Sequence, residues 1–177
     1  MQDEQSVGSR LEVRFEAMVR AFSGDLFRYA LFLSRDRSQA EDLTQEAFLR
    51  AWRSLSSLRE ESKAKSWLFT TVRREYLRQF ERFQPPLDEL DPERMPEPRG
   101  NEAETMWLRR LIERLPMIYK EPLMLQVIGG FSGNEIAQML DIPRATVNTR
   151  LFRARVHLRQ LLDGRNLELR DDEASGG

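Results

Sequence analysis

Between Arg144 and Arg155 the chain places Arg144, Asn148, Thr149, Arg150, Arg153 and Arg155 where a helix would leave them exposed. Val147, Leu151, Ala154, Leu158 and Leu161 recur at spacings of four, three, four and three, which would make them the inner stripe of the same helix. The outer residues have a definite chemistry. Arg and Asn hydrogen-bond base edges in a DNA major groove, and Thr reaches phosphate. A helical hairpin with a solvated basic face is the alternative for the same pattern.

Two further sets of residues point to partners. Arg74, Arg78 and Arg82 repeat every fourth residue, a spacing that is mildly repulsive in an isolated helix and that an anionic partner would relieve. Trp67, Phe69 and Tyr76 lie among them and offer stacking surface for unpaired bases. The alternative, equally open on these residues alone, is that Trp67 and Tyr76 belong to the core and the arginines are solvated. The third set, Glu41, Asp42, Gln45, Glu46, Leu49 and Arg50, shares one face of an amphipathic segment. Taken alone, such a face is either solvated or a protein contact.

These residues need helices to position them, and the apolar periodicity supplies helices almost everywhere. Helical stripes run through 11–22 (Leu11, Phe15, Met18, Val19, Phe22), 25–34 (Leu26, Phe27, Ala30, Leu31, Leu33), 39–55 (Leu43, Ala47, Phe48, Ala51, Trp52, Leu55) and 66–83 (Leu68, Val72, Tyr76, Phe80, Phe83, with Trp67 beside them). Four such helices can share one core. Pro85, Pro86, Pro92, Pro96, Pro98 and Gly100 then interrupt the pattern, which predicts an exposed linker. Beyond it, helices are expected over 102–115 and 119–128, with Pro122 in the first turn of the second and Gly129-Gly130 stopping it. Ser132 and Glu135 form a capping box for a short helix, 133–140. Asp141-Ile142-Pro143 makes a tight turn, with Asp141 where a left-handed residue is needed. A long helix follows from about 144 to 162. Ile136, Ala137 and Leu140 face inward, so 132–155 reads as a helix-turn-helix.

Composition removes other classes. The 177 residues include one His and no Cys, which excludes a disulfide scaffold, a thiol nucleophile and a Cys-His metal cluster. No Gly-rich phosphate loop or catalytic triad stands out, and His157 is a surface or partly packed residue, so neither an enzyme nor a metal or cofactor is expected. No apolar run is long enough for a membrane span, and Met1 to Arg10 does not resemble a secretory signal, so a cytoplasmic protein is expected. The net charge of −1 hides blocks. Residues 65–83 carry five cations against two carboxylates, net +3, and 84–104 are net −5. Residues 142–165 are net +5 and 166–177 net −3.

Four segments in order carry a family resemblance: AEDLTQEAFLRAW, KSWLFTTVRREYLRQFER, RLIERLPMIYKEPLML and FSGNEIAQMLDIPRATVNTRLFRARVHLRQLL. They resemble regions 2.2, 2.3–2.4, 4.1 and 4.2 of the ECF (group IV) sigma factors of bacterial RNA polymerase, and the likeness covers about residues 10–163. The resemblance implies an all-α chain: a four-helix region 2 domain over 1–83, a flexible acidic linker over 84–101, a helix-turn-helix region 4 domain over 102–165 and an acidic disordered tail over 166–177. It implies that Asp42, Gln45, Glu46, Leu49 and Arg50 dock on the polymerase β′ clamp helices. Lys65, Trp67, Arg73, Arg74 and Arg78, with the loop from Ser56 to Lys65, would recognise and melt the −10 element. Arg144, Thr146, Asn148, Thr149, Arg150 and Arg153 would read the −35 element as duplex beside the flap tip. An anti-sigma factor, in some cases at the inner membrane, is the implied regulator.

The chain departs from the family pattern at several places. Arg74 and Arg78 stand where Asn and Asp are usual, Ala145 and Asn148-Thr149 replace Gly and Lys-Ser, and Asp141 replaces the turn Gly. Two other readings compete. A sigma-like mimic that titrates an anti-sigma factor need not keep basic reading faces, and this chain keeps one at net +5. A dimeric helix-turn-helix regulator would account for 132–155 and leave the first half unexplained.

Overall fold

The computed structural model describes residues 2–55, 63–82 and 110–174, with side chains over 8–55, 63–81 and 110–163. Phe83, the linker at 84–101, the first part of the 102–115 helix and most of the loop before Lys65 lie outside the described residues, as does the side chain of Arg82. All described regular structure is helical. The chain divides into two units, Met1–Pro96 and Glu97–Gly177, and the division falls within the proline-rich stretch.

The first unit contains three helices among the described residues: α1 (Gln2–Ser34), α2 (Arg37–Ser54) and α3 (Ala64–Arg82). The segments 11–22 and 25–34, expected as separate helices, lie on the one continuous α1. Gly24 sits between them with open space where a Cβ would be. An internal Gly costs only about 1 kcal/mol against Ala, less than is gained by burying Leu26, Tyr29, Ala30 and Leu33 beyond it, since each large side chain contributes about 1.5–3 kcal/mol. The chain reverses at Arg35, which takes a left-handed φ of 54°. Asp36 then caps α2, its carboxylate accepting from Gln39 N at 2.7 Å.

The helices pack through small and branched residues. α2 buries Ala40, Leu43, Ala47, Phe48, Ala51 and the adjoining Leu55, whereas Trp52, expected in this stripe, is 44% exposed. Its indole packs edge-on against Phe15 of α1, with ring centroids 5.1 Å apart. α3 buries Leu68, Phe69, Thr71, Val72 and Glu75. Its inner stripe is therefore rotated relative to the expected one. Phe69 stacks on fully buried Tyr29 at 5.0 Å, while Phe80, expected inside, is 45% exposed. The carboxylate of Glu75 occupies the inward position next to Tyr76.

The second unit begins, among the described residues, with helical turns at 110–113. It continues with α4 (Met117–Val127), α5 (Gly133–Leu140) and α6 (Arg144–Ala174). α4 starts earlier than expected because Pro116, at φ −55° and ψ 141°, serves as its N-cap. Pro122 therefore lies inside the helix rather than in its first turn. The backbone bond it cannot make would have gone to the carbonyl of Ile118, a 53% exposed residue, so that oxygen can turn to water. Gly129 and Gly130 end α4. A Cβ at Gly129 would lie 2.3 Å from the Phe131 ring and 2.7 Å from the Leu125 carbonyl, and Gly130 has φ +68°. Lys120 is 4% exposed, and its ammonium donates to the carbonyl of Glu113 at 3.0 Å, joining α4 to the preceding helical end.

Helix α5 carries the expected capping box. Ser132 N donates to Glu135 Oε2 at 2.8 Å, and Glu135 N donates back to Ser132 Oγ. Asp141 closes the helix in the left-handed region, φ 54° and ψ 49°. Ile136 and Leu140 are buried as expected, Met139 joins them, and Ala137 is half-buried. Val147, Leu151 and Ala154 of α6 complete the core. α6 continues past 162 as helix to Ala174, through most of the stretch expected to be a disordered tail. Leu167, Glu168, Leu169 and Arg170 are good helix formers, and after Gly164 no Gly or Pro interrupts before Gly176.

Candidate functional site

On α2, Asp42, Gln45 and Leu49 project to the surface, Leu49 at 51% exposure, with Glu46 and Arg50 half-buried beside them. Their positions at turns of one helix make a continuous face with an apolar centre and acidic edges. Arg50 is not simply solvated. Its Nε donates to Glu46 Oε1 at 2.7 Å and its Nη2 donates to Glu75 Oε2 at 2.8 Å, across to α3. Hydrogen bonding to Glu46 and the charge of Glu75 outweigh burial and push the Arg50 pKa up further.

Glu75 is the centre of this arrangement, and the sequence reading did not single it out. It is 4% exposed. One carboxylate oxygen accepts from Arg50 and the other from Arg78 Nη2. Burial by itself raises its pKa, but Arg78 and Arg50, with a hydrogen bond from Gln79, hold it below the ordinary carboxylate value. Arg50 and Arg78, expected at two different interfaces, therefore meet at one carboxylate. The signal in the sequence was a lone acid on the stripe that continues from Leu68 and Val72.

Elsewhere on α3, Arg74 is exposed, and Arg73, Trp67 and Tyr76 are half-buried. Phe69 is fully buried and gives no stacking surface. The accessible aromatic pair is instead Tyr76 and Phe80, with ring centroids 6.0 Å apart. Lys65 lies at the start of α3 with its ammonium 3.2 Å from Asp25 Oδ2 and 5.9 Å from the centroids of both the Phe22 and Phe69 rings. Asp25 also accepts from Arg28. Burial raises the Asp25 pKa, and Arg28 and Lys65 together bring it below the usual range. Lys65 thus ties α1 to α3.

In the second unit, α5, the Asp141 turn and α6 form a helix-turn-helix. Arg144, Asn148, Thr149 and Arg153 are exposed on α6, with Thr146 and Arg150 half-buried. Asn148 lies against the start of α5, its Oδ1 3.4 Å from where a Cβ on Gly133 would sit. Two members of the row are held from the side. Arg153 Nη1 donates to Tyr119 Oη at 3.3 Å, and Arg155 Nη2 donates to Gln126 Oε1 at 2.9 Å, so α4 sets their direction. Tyr119 also stacks on His157, with centroids 5.5 Å apart. Thr149 Oγ1 donates to Ala145 O of its own helix at 3.0 Å. Ile118, Tyr119, Thr146 and Arg150 border a shallow hollow at the N-terminal end of α6. Among the described residues, no cluster of His, Asp and Glu could hold a metal ion, and no helix is long and apolar enough to cross a membrane.

These features define a helical protein with an exposed leucine rimmed by polar residues on α2 of one unit and a helix-turn-helix in the other. Residues 18–84 match the Sigma-70 region 2 family and residues 105–158 the Sigma-70 region 4 family. The ECF RNA polymerase sigma factor SigM of Mycobacterium tuberculosis is 30% identical over 153 residues, covering 84% of this chain and 76% of the relative. SigM of Bacillus subtilis (strain 168) is 28% identical over 153 residues, covering 82% and 93%. Among solved structures, the sigma factor RpoE from Bartonella quintana, in complex with the anti-sigma factor NepR, is similar in fold, with a TM-score of 0.71, 24% identity, and 85% of this chain and 97% of that one covered. CnrH in complex with the cytosolic domain of CnrY gives 0.61 at 24% identity, covering 86% and 90%. The chain belongs to the ECF RNA polymerase sigma factors, which are transcription initiation factors.

Proposed function

We propose that this chain directs core RNA polymerase to promoters through three separate faces. The α2 face, with Asp42, Gln45, Glu46, Leu49 and Arg50, docks on the polymerase clamp helices. Leu49 supplies an apolar contact and the carboxylates select a basic partner. Helix α3 takes the −10 element as it opens. Unstacking a base costs a few kcal/mol, about what stacking on an aromatic side chain and phosphate contacts return. Trp67 and Tyr76 are suited to the first role, and Arg73, Arg74 and Arg78 to the second. Lys65 acts through its tie to Asp25, by fixing the start of α3.

The −35 element is read as duplex by α6, with Arg144, Asn148 and Arg150 at base edges and Thr146, Thr149 and Arg153 nearer the backbone. The observation that carries the whole reading is the exposed row Arg144, Asn148, Arg153 on the second helix of a helix-turn-helix, in a chain whose other unit matches region 2. A mimic that only titrates an anti-sigma factor would have no use for that row. The two solved relatives are each bound to an inhibitor or partner chain, which supports an anti-sigma partner here, cytoplasmic or tethered at the inner membrane. The protein itself acts in the cytoplasm. Promoter-selective transcription by core polymerase with the purified chain tests the reading.

A further inference from the structure

Glu75 joins two surfaces that the proposed function assigns to different partners. Arg50 belongs to the α2 docking face and Arg78 to the α3 nucleic-acid face, and each holds one oxygen of the same nearly buried carboxylate. Arg50 in turn shares itself between Glu75, at 2.8 Å, and the more exposed Glu46, at 2.7 Å. The order across the unit is therefore Glu46, Arg50, Glu75, Arg78, alternating in sign and summing to zero. Resting on the reading above, we propose that Glu75 is a positioning residue that couples polymerase docking to DNA binding: it keeps Arg78 neutralised in the free chain and releases it when Glu46 is taken by a basic side chain of the polymerase.

The physics is competition for shared charges. A guanidinium that bonds two carboxylates gives each less than it would give one alone. When a partner's cation captures Glu46, Arg50 turns wholly to Glu75. Glu75 then holds Arg78 less strongly, and Arg78, whose side chain is already 54% exposed, is available to a phosphate. The same exchange runs backwards, because coupling between two binding events is reciprocal. Phosphate capture of Arg78 draws Arg50 toward Glu75 and leaves Glu46 for the polymerase. Neither surface moves; only the sharing of protons and charge among four side chains changes. The low net charge of the chain, −1, fits the same logic, since a free sigma that neutralised fewer phosphates would bind stray DNA more weakly.

The test is a double-mutant cycle on the full chain, read as affinity for a fluorescent single-stranded oligonucleotide of mixed sequence at several salt concentrations. E75Q frees Arg78 and is expected to raise affinity about threefold, the scale of a partly exposed ion pair, and to steepen the log-log salt dependence by about 0.7 for the one added phosphate contact. E46Q imitates capture of Glu46 and is expected to raise affinity about twofold in the wild-type background, on the same ion-pair scale, and to have no effect in the E75Q background. An equal E46Q effect in both backgrounds would be mere long-range charge and overturns the proposal, as does an E75Q chain with unchanged or weaker binding. If E75Q does not fold, R50M replaces it. Removing Arg50 commits Glu75 to Arg78, so oligonucleotide affinity falls, although Arg50 touches no DNA; a rise or no change overturns the proposal. A wild-type chain that binds neither oligonucleotide nor core polymerase overturns the functional reading together with the coupling. Normal wild-type binding without the cycle overturns the coupling alone.

Discussion

Arg50 of α2 donates to Glu75 of α3 at 2.8 Å and so ties the two helices at one point, while Arg78, one turn along α3, donates to the other oxygen of the same carboxylate. A second polar link, Gln39 Nε2 donating to Gln79 Oε1 at 3.2 Å, joins the same two helices, which bury Ala47, Ala51, Leu68 and Val72. Two guanidiniums on one carboxylate supply the charge-assisted hydrogen bonds that a buried acid requires.

That arrangement makes stability depend on pH. Glu75 and Asp25 have ordinary pKa values of 4.5 and 3.8, and both are lowered in the fold. The unfolded chain therefore takes up protons first as the pH falls. The contribution of these pairs is fully present above the ordinary values and is lost as pH drops through the lowered ones. Thermal melts should show Tm nearly flat from pH 7 to 5 and falling below about 4.5, where these acids begin to protonate. D25N should flatten that fall, and an unaltered acid slope in D25N would separate it from the Asp25–Lys65 tie.

The docking role proposed for the α2 face gives a prediction for holoenzyme assembly. If that face meets a basic partner, Asp42→Arg combined with Glu46→Arg reverses two charges there and should weaken association with core polymerase about tenfold or more. Co-purification or fluorescence anisotropy measures this, with circular dichroism at its wild-type value showing the helices intact. Unchanged association would move the interface away from residues 42–50.

On the second unit, Arg144→Ala and Asn148→Ala should each cost about 1–3 kcal/mol at a cognate −35 sequence and relax the base preference at one position. Thr149→Val should cost less than either, because the hydroxyl proton rests on Ala145 O in the free chain and must turn away from it to reach a phosphate. Footprinting or a binding-site selection reads all three. Protection at −35 that survives the double Ala change would contradict the assignment.

Two turn positions, Asp141 and Gly129, give three stability predictions. Asp141 has φ 54°, where glycine avoids a cost of about 1–2 kcal/mol, so Asp141→Gly should raise Tm and Asp141→Val lower it. Gly129→Ala should lower stability by about 1–3 kcal/mol, since its Cβ meets the Leu125 carbonyl at 2.7 Å and the Phe131 ring at 2.3 Å.

The residues that were legible in the sequence are those whose role is set locally. Ser132 and Glu135 are three apart and cap the same turn. Gly129-Gly130 stops α4, and Asp141 takes the left-handed turn. Val147, Leu151 and Ala154 lie inward because a period fixes a face. Positions that depend on distant partners carry no local signal. Glu75 is inside because Arg50, 25 positions earlier, meets it there, and its inward turn sends Phe80 outward. Lys120 is buried because the Glu113 carbonyl accepts it. Lys65 lies between two rings from different helices, and Phe69 is covered by Tyr29. The stripes at 11–22 and 25–34 share one helix because the residues that α1 buries beyond Gly24 outweigh the cost of the glycine.

Whether this chain makes core polymerase choose promoters is measured directly by run-off transcription on a fragmented genomic library, with core polymerase alone and with the purified chain added. A promoter-selecting chain yields a new set of start sites sharing spaced −35 and −10 motifs, diminished by Arg144→Ala with Asn148→Ala and abolished by Asp42→Arg with Glu46→Arg. No new start sites with a folded chain that binds core polymerase would contradict it.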